Sequence, residues 1–131
     1  MSEFIGFLQE LLEKWGQVTA RRMFGGHGLY HEGLMFAIVM DNRLYLKADD
    51  LNRADFEALN LAPFTYLMKG NTVALSYWSA PDALFDEPTE AVRWVRSAWE
   101  AAARGQAAKI AKPRRRSPGV TFPKNGPVSA R

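Results

Sequence analysis

Every periodic apolar run in this chain lies before Gly105, and from there to the C-terminus the chain is basic, proline-containing and aperiodic. A segment joins a packed domain only if its apolar residues recur at helix or strand spacing, because burying them is what offsets the entropy of ordering. Residues 1–104 meet that condition. In residues 105–131, Pro113, Pro118, Pro123 and Pro127 sit among basic side chains with almost no apolar pattern. The expectation is one folded domain over 1–104 and a basic, disordered tail over 105–131. Charge divides at the same place: residues 1–104 carry 10 Lys and Arg against 14 Asp and Glu, a net of −4, whereas residues 105–131 carry 7 against 0. The overall +3 therefore describes neither part, and any argument from basicity to nucleic acid concerns the tail.

Within the body, Ser2 is placed to cap a helix whose apolar residues Phe4, Ile5, Phe7, Leu8, Leu11, Leu12 and Trp15 recur at three- and four-residue spacing, with Gly16 as a left-handed stop. Val18 to Phe24 reads as a strand, and Gly25, Gly26 and Gly28 imply a bulge or sharp bend before Tyr30. The turn His31-Glu32-Gly33 joins that segment to Leu34–Met40 as a hairpin. Asp41-Asn42 then leads into Arg43–Lys47, whose strict alternation sends Leu44 and Leu46 one way and Arg43, Tyr45 and Lys47 the other. A short helix is expected over Leu51–Leu59 through Leu51, Phe56 and Leu59, ending near Asn60, followed by a second hairpin around Lys69-Gly70-Asn71. Pro88 starts a last helix to about Arg104, with the apolar stripe Val92, Val95, Trp99 and Ala102 and Gly105 as its cap. The fold class is α+β: a mostly antiparallel five-stranded sheet with flanking helices, in the order α-β-β-β-α-β-β-α.

The chemistry available is limited. With no cysteine, disulfides, thiolate nucleophiles and cysteine-based metal sites are excluded, and a reducing, cytoplasmic setting fits. The acidic, periodic N-terminus does not read as a signal peptide, and no stretch approaches the ~18 uncharged apolar residues of a membrane span. Gly25-Gly26-His27-Gly28 lacks the following helix that a phosphate cradle needs, so its glycines read as backbone bends within a sheet. His27 and His31 have no third ligand in reach except from turns, which argues against a metal site. Asp41, Asp49 and Asp50 sit where capping alone explains an aspartate, Ser76 lies inside a strand, and no catalytic residue or cofactor is expected.

The run Arg21-Arg22-Met23-Phe24-Gly25-Gly26-His27-Gly28-Leu29-Tyr30, continued by Gly33-Leu34-Met35-Phe36-Ala37, resembles the opening signature of the N-terminal domain of the TfoX/Sxy competence-regulator family. Arg43–Lys47, Pro63-Phe64-Thr65-Tyr66, Ser76-Tyr77-Trp78 with Pro81, and Trp94–Ala98 are similar to the same family's pattern in the same order. The likeness covers roughly residues 10–104, with Met23, Phe24, Gly25, Gly26, Gly28 and Tyr30 as its most distinctive positions. It implies a secretion-chaperone-like fold and a regulatory, non-enzymatic role. Full-length members act as transcriptional co-activators alongside the cyclic-AMP receptor protein and carry a second, helical domain where this chain turns basic.

The functional expectation is an interaction module. Tyr30, Tyr45, Tyr66, Tyr77 and Trp78 suggest a stacking platform, but an acidic body should bind nucleic acid poorly, so outward aromatics point to a protein partner, the transcription machinery among the candidates, or to a homodimer. Lys109, Lys112, Arg114, Arg115 and Arg116 form the cluster suited to nonspecific nucleic-acid contact, with simple solubilisation as the alternative. A small-molecule-binding or enzymatic domain using Gly25–Tyr30 is the competing reading.

Overall fold

The computed structural model of the chain describes residues 3–23 and 25–111. It opens with helix α1 (Glu3–Leu11), followed by strands β1 (Thr19–Met23), β2 (Gly26–His31), β3 (Leu34–Met40) and β4 (Arg43–Lys47). Helix α2 (Arg53–Ala58) leads to β5 (Pro63–Met68) and β6 (Asn71–Ser79), and α3 (Ala83–Asp86) precedes the long α4 (Pro88–Ala111). The strands form one sheet in the order β1-β2-β3-β4-β6-β5, every neighbouring pair antiparallel. This is the expected α+β class with six strands rather than five. The difference lies at the glycines: the chain does not bend within one strand but reverses, Met23 pairing with Gly26 and Gly25 standing at φ +81°.

Three hairpins have two-residue loops whose central residues both take positive φ: Glu32 and Gly33 at 50° and 81°, Asp41 and Asn42 at 53° and 58°, and Lys69 and Gly70 at 52° and 83°. That geometry matches the right-handed twist of the flanking strands, which is why Gly and Asn recur in these loops. The loops fix the register, pairing His31 with Leu34, Met40 with Arg43 and Met68 with Asn71. Strand alternation then decides which side chains face the helices.

One core cluster lies between the sheet and all four helices, joining Ile5, Leu8 and Leu12, Leu29, Val39, Leu44 and Leu46 of the sheet, and Phe56, Leu84, Trp94 and Val95. Each such side chain, fully buried, contributes roughly 1.5–3 kcal/mol against exposure. A bulge between Leu29 and Tyr30 leaves Phe36 without a partner on β2, so Phe36 and Ala37 both reach the core while buried Ile38 stays outside the cluster. Along α4 the buried stripe is Ala91, Trp94, Val95, Ala98 and Ala101, one step round from the expected one, because small alanines let the helix approach the sheet.

Other expectations are corrected. Leu51 and Leu59 face solvent, 73% and 52% exposed, and Phe56 alone anchors α2. Gly16 is not left-handed; a Cβ there would run into the His31 ring, so space and not dihedral freedom requires it. Gly105 does not cap α4, which continues helical through it to Ala111, so the tail's first seven residues by the expected boundary are helix. Ser2 lies outside the described residues.

A polar knot ties the end of β4 to α4. Buried Asn52 donates from Nδ2 to the Lys47 carbonyl at 3.2 Å and to Ser97 Oγ at 3.1 Å, while its Oδ1 accepts from the Asp49 amide at 2.7 Å. Asp49 in turn accepts from Arg104 Nε at 2.7 Å and Nη2 at 3.0 Å. These bonds hold Lys47 at a fixed corner of the sheet.

Candidate functional site: the open sheet face

Because the helices all join the core on one side, the register leaves the other side of the sheet uncovered by any described helix. In register, Arg21 pairs with Gly28, Gly28 with Ile38, Ile38 with Tyr45 and Tyr45 with Ser79, so these residues share the outward side. Tyr30 with Met35, Met40 with Arg43, Lys47 with Tyr77 and Tyr66 with Val73 lie on the same side. All four tyrosines of the chain therefore stand on one face, together with Met23, Met35 and Met40. Among the described residues that face carries Arg21, Arg43 and Lys47 and no carboxylate.

The surface is filled, not hollow. A Cβ at Gly28 would meet Met35 Sδ at 2.6 Å, Met23 Sδ at 2.9 Å and Tyr30 Cε1 at 3.3 Å, so the glycine is where larger side chains fold down over the sheet. Arg21 Cζ sits 5.1 Å from the Tyr30 ring centre, Lys47 Nζ lies 5.1 Å from that of Tyr77, and Tyr45 packs edge-on against Phe64 with centroids 5.0 Å apart. Burial pushes the Tyr77 hydroxyl up to about 12, with the nearby Tyr30 hydroxyl adding to the shift. Burial lowers Lys47 from its ordinary value, opposed by Asp49 and reinforced by Lys109 near the end of α4. The Lys47 ammonium donates to Ser76 Oγ at 2.7 Å.

Beyond Ala48, whose amide donates to the Ser76 carbonyl at 2.9 Å, β6 has no partner on its β4 side among the described residues. Residues 63–75 thus continue as a two-stranded ribbon, and its tip exposes Tyr66, Leu67 and Met68 at 36%, 75% and 50%.

Of the signature residues, Met23, Gly28 and Tyr30 come together on this face, Gly26 is buried in β2, Gly25 forms the turn and Phe24 lies outside the described residues. Trp78 faces the other way, against Phe56 at 6.0 Å. His27 and His31 do project to the same, helix-covered side, but His31 is held there: its Nδ1 lies 2.9 Å from the Gln17 carbonyl and its ring packs between Trp15 and Trp99. No cluster of three metal-ligating side chains occurs among the described residues. Lys109 is exposed near the end of α4, while Lys112, Arg114, Arg115 and Arg116 lie outside the described residues. Sequence reasoning puts the aromatics on an acidic body. The structure separates them, because acidic side chains fall on helices and turns; only the pairing of six strands reveals this, although the Arg43-Tyr45-Lys47 alternation is its visible fragment.

The TfoX N-terminal domain family matches residues 10–102. A DNA transformation protein, TfoX1 of Aliivibrio fischeri, is 32% identical over 89 residues, covering 68% of this chain and 43% of its own length. Protein Sxy of Escherichia coli K12 is 26% identical over 115 residues, covering 87% of this chain and 55% of its own. The chain thus spans about half the length of the curated relatives it matches. No helix among the described residues is long and apolar enough to cross a membrane.

Proposed function

Since the chain belongs to the TfoX/Sxy family through its N-terminal domain, we propose that it is a non-catalytic regulatory module that works by holding a protein partner on the open face of its sheet. The observation that carries this reading is the composition of that face: Tyr, Phe, Met and Arg gathered together, and Asp and Glu absent among the described residues. Those are the residue types enriched and depleted at protein interfaces. Methionines add a surface that can adapt to its partner. The competing reading, small-molecule chemistry at Gly25–Tyr30, is weakened because Met23, Met35 and Tyr30 fill the space above Gly28.

The test uses the relative named for DNA transformation. In Aliivibrio fischeri, the matched stretch of TfoX1 is replaced by this domain and transformants are counted. The reading predicts retained transformation, and a loss of at least ~10-fold, or about 1.4 kcal/mol of binding, when Tyr45→Asp and Tyr66→Asp are introduced together. An inactive chimera, or an unimpaired double variant of unchanged thermal stability, contradicts it.

A second role belongs to the basic cluster of Lys109, Lys112, Arg114, Arg115 and Arg116, suited to nonspecific contact with nucleic-acid phosphates. It places the module near nucleic acid without selecting sequence.

A further inference from the structure

We propose that the open face reads carboxylates: the pairs Arg21–Tyr30 and Lys47–Tyr77 form a seat for the acidic side chains of an extended segment of the partner protein that carries apolar residues between them. The inference rests on the regulatory reading above and names the chemistry of its partner.

The seat is built from two strands that are not neighbours. Tyr30 is on β2 and Tyr77 on β6, with β3 and β4 between them, but both stand on the open face, Tyr30 paired with Met35 of β3 and Tyr77 with Lys47 of β4, and Tyr30 is near enough to add to the upward shift of the Tyr77 hydroxyl. Neither hydroxyl has a hydrogen-bond partner among the described residues. Each ring has a cation over it at 5.1 Å, so two hydroxyl donors and two cationic donors are presented on the same face. A carboxylate offers two oxygens and about four acceptor positions, which suits that donor set.

Charge complementarity argues in the same direction. The folded body is net negative over residues 1–104, but its carboxylates lie elsewhere, so an approaching anion meets no like charge on this face among the described residues. Lys47 holds its charge at a cost from burial, and its nearest carboxylate influence, Asp49, is already bonded to Arg104. An incoming carboxylate would supply the counter-charge. Met23 and Met35, folded over Gly28, provide apolar surface near Arg21 and Tyr30 for the partner's intervening side chains.

The same geometry disfavours single-stranded nucleic acid as the occupant. Bases stack on open ring faces, one after another. Here Tyr30 and Tyr77 are covered by Arg21 and Lys47, and Tyr45 is set against Phe64, which leaves Tyr66 as the one tyrosine without such a neighbour among the described residues.

The methionines serve as reporters. The full chain carries five, of which Met23, Met35, Met40 and Met68 are on β1, β3 and β5, and Met1 is at the N-terminus. With carbon-13 methionine methyls, the full chain is titrated with a capped peptide repeating Glu-Ser-Leu, with its Gln-Ser-Leu counterpart, and with an oligothymidylate of matching length. Expected are saturable shifts at Met23 and Met35 with the glutamate peptide and ~10-fold weaker binding of the glutamine peptide. Arg21→Gln with Lys47→Gln should weaken the glutamate peptide by at least ~10-fold, and Tyr30→Phe with Tyr77→Phe, which keep the rings, by ~3-fold or more. Equal response to both peptides, tighter binding of oligothymidylate at these methyls, or no shift at all would overturn the inference. The transformation assay stays independent of it, so loss of the acidic-segment chemistry is distinguishable from loss of the regulatory role.

Discussion

Asn52 illustrates how much one residue carries. It is the buried polar side chain through which the Lys47 carbonyl, the Asp49 amide and Ser97 of α4 are satisfied together. Asn52→Ala should cost about 2–3 kcal/mol in urea unfolding, because it leaves buried polar groups unpaired. Its neighbour Asp49 gives a pH signature. The Arg104 hydrogen bonds hold its carboxyl below the usual value of 3.8, so its contribution is complete above that pH and is lost as pH falls through the lower folded value. Both partners are partly exposed, which limits the contribution to about 1 kcal/mol. Unfolding midpoints of wild type and Asp49→Asn should therefore differ at neutral pH and converge in strong acid. The two β2 glycines should differ as well. A Cβ at Gly26 strikes the Val39 carbonyl oxygen, which is backbone, whereas at Gly28 it meets the flexible ends of Met35 and Met23. Gly26→Ala should cost on the order of 1–3 kcal/mol in thermal unfolding, and Gly28→Ala less.

Among the elements, α4 departs furthest from its sequence pattern. A glycine followed by basic, aperiodic sequence reads as a terminus, yet the helix passes through Gly105, around which a Cβ would meet nothing within 4 Å. Gly105→Ala should accordingly stabilise the chain by up to about 1 kcal/mol, seen as a raised unfolding midpoint. A true left-handed cap would give the opposite sign. The hairpins were legible because their two-residue loops require Gly or Asn at positive φ, a local demand written in local residues. The reversal at Gly25 was not, since the same glycines are compatible with a bulge, and only long-range pairing of Met23 with Gly26 distinguishes the two. Trp94 escapes the α4 stripe for a related reason: alanines beside it set the helix's approach, and alanine carries little hydrophobic signal.

For the whole molecule, the separation of charge between body and tail extends into a second separation within the body. Acidic groups lie off the strands, where cations such as Arg53, Arg93 and Arg104 pair with them, whereas the open sheet face carries Arg21, Arg43, Lys47 and the tyrosines with no acid among the described residues, and Lys109 brings α4's basic end into electrostatic reach of Lys47. The sum over 1–104 conceals this, which is why composition alone makes the aromatic face seem surrounded by acid. The proposed contact of the basic cluster with nucleic acid is tested apart from the face. Neutralising Lys112, Arg114, Arg115 and Arg116 to Gln should reduce the salt dependence of DNA binding, lowering the log–log slope by up to about 3–4, and an unchanged slope would remove the tail from nucleic-acid contact. The central claim, that a partner is held on the open face and not on the helices, is tested by location. The chain has no cysteine, so Tyr66→Cys on the face and Glu13→Cys beside α1 each introduce one thiol for a photo-crosslinker. In extracts of cells that express the chain, the account predicts a discrete protein adduct from position 66 that is lost on adding Arg21→Gln and Lys47→Gln, and none from position 13; adducts from position 13 alone would contradict it.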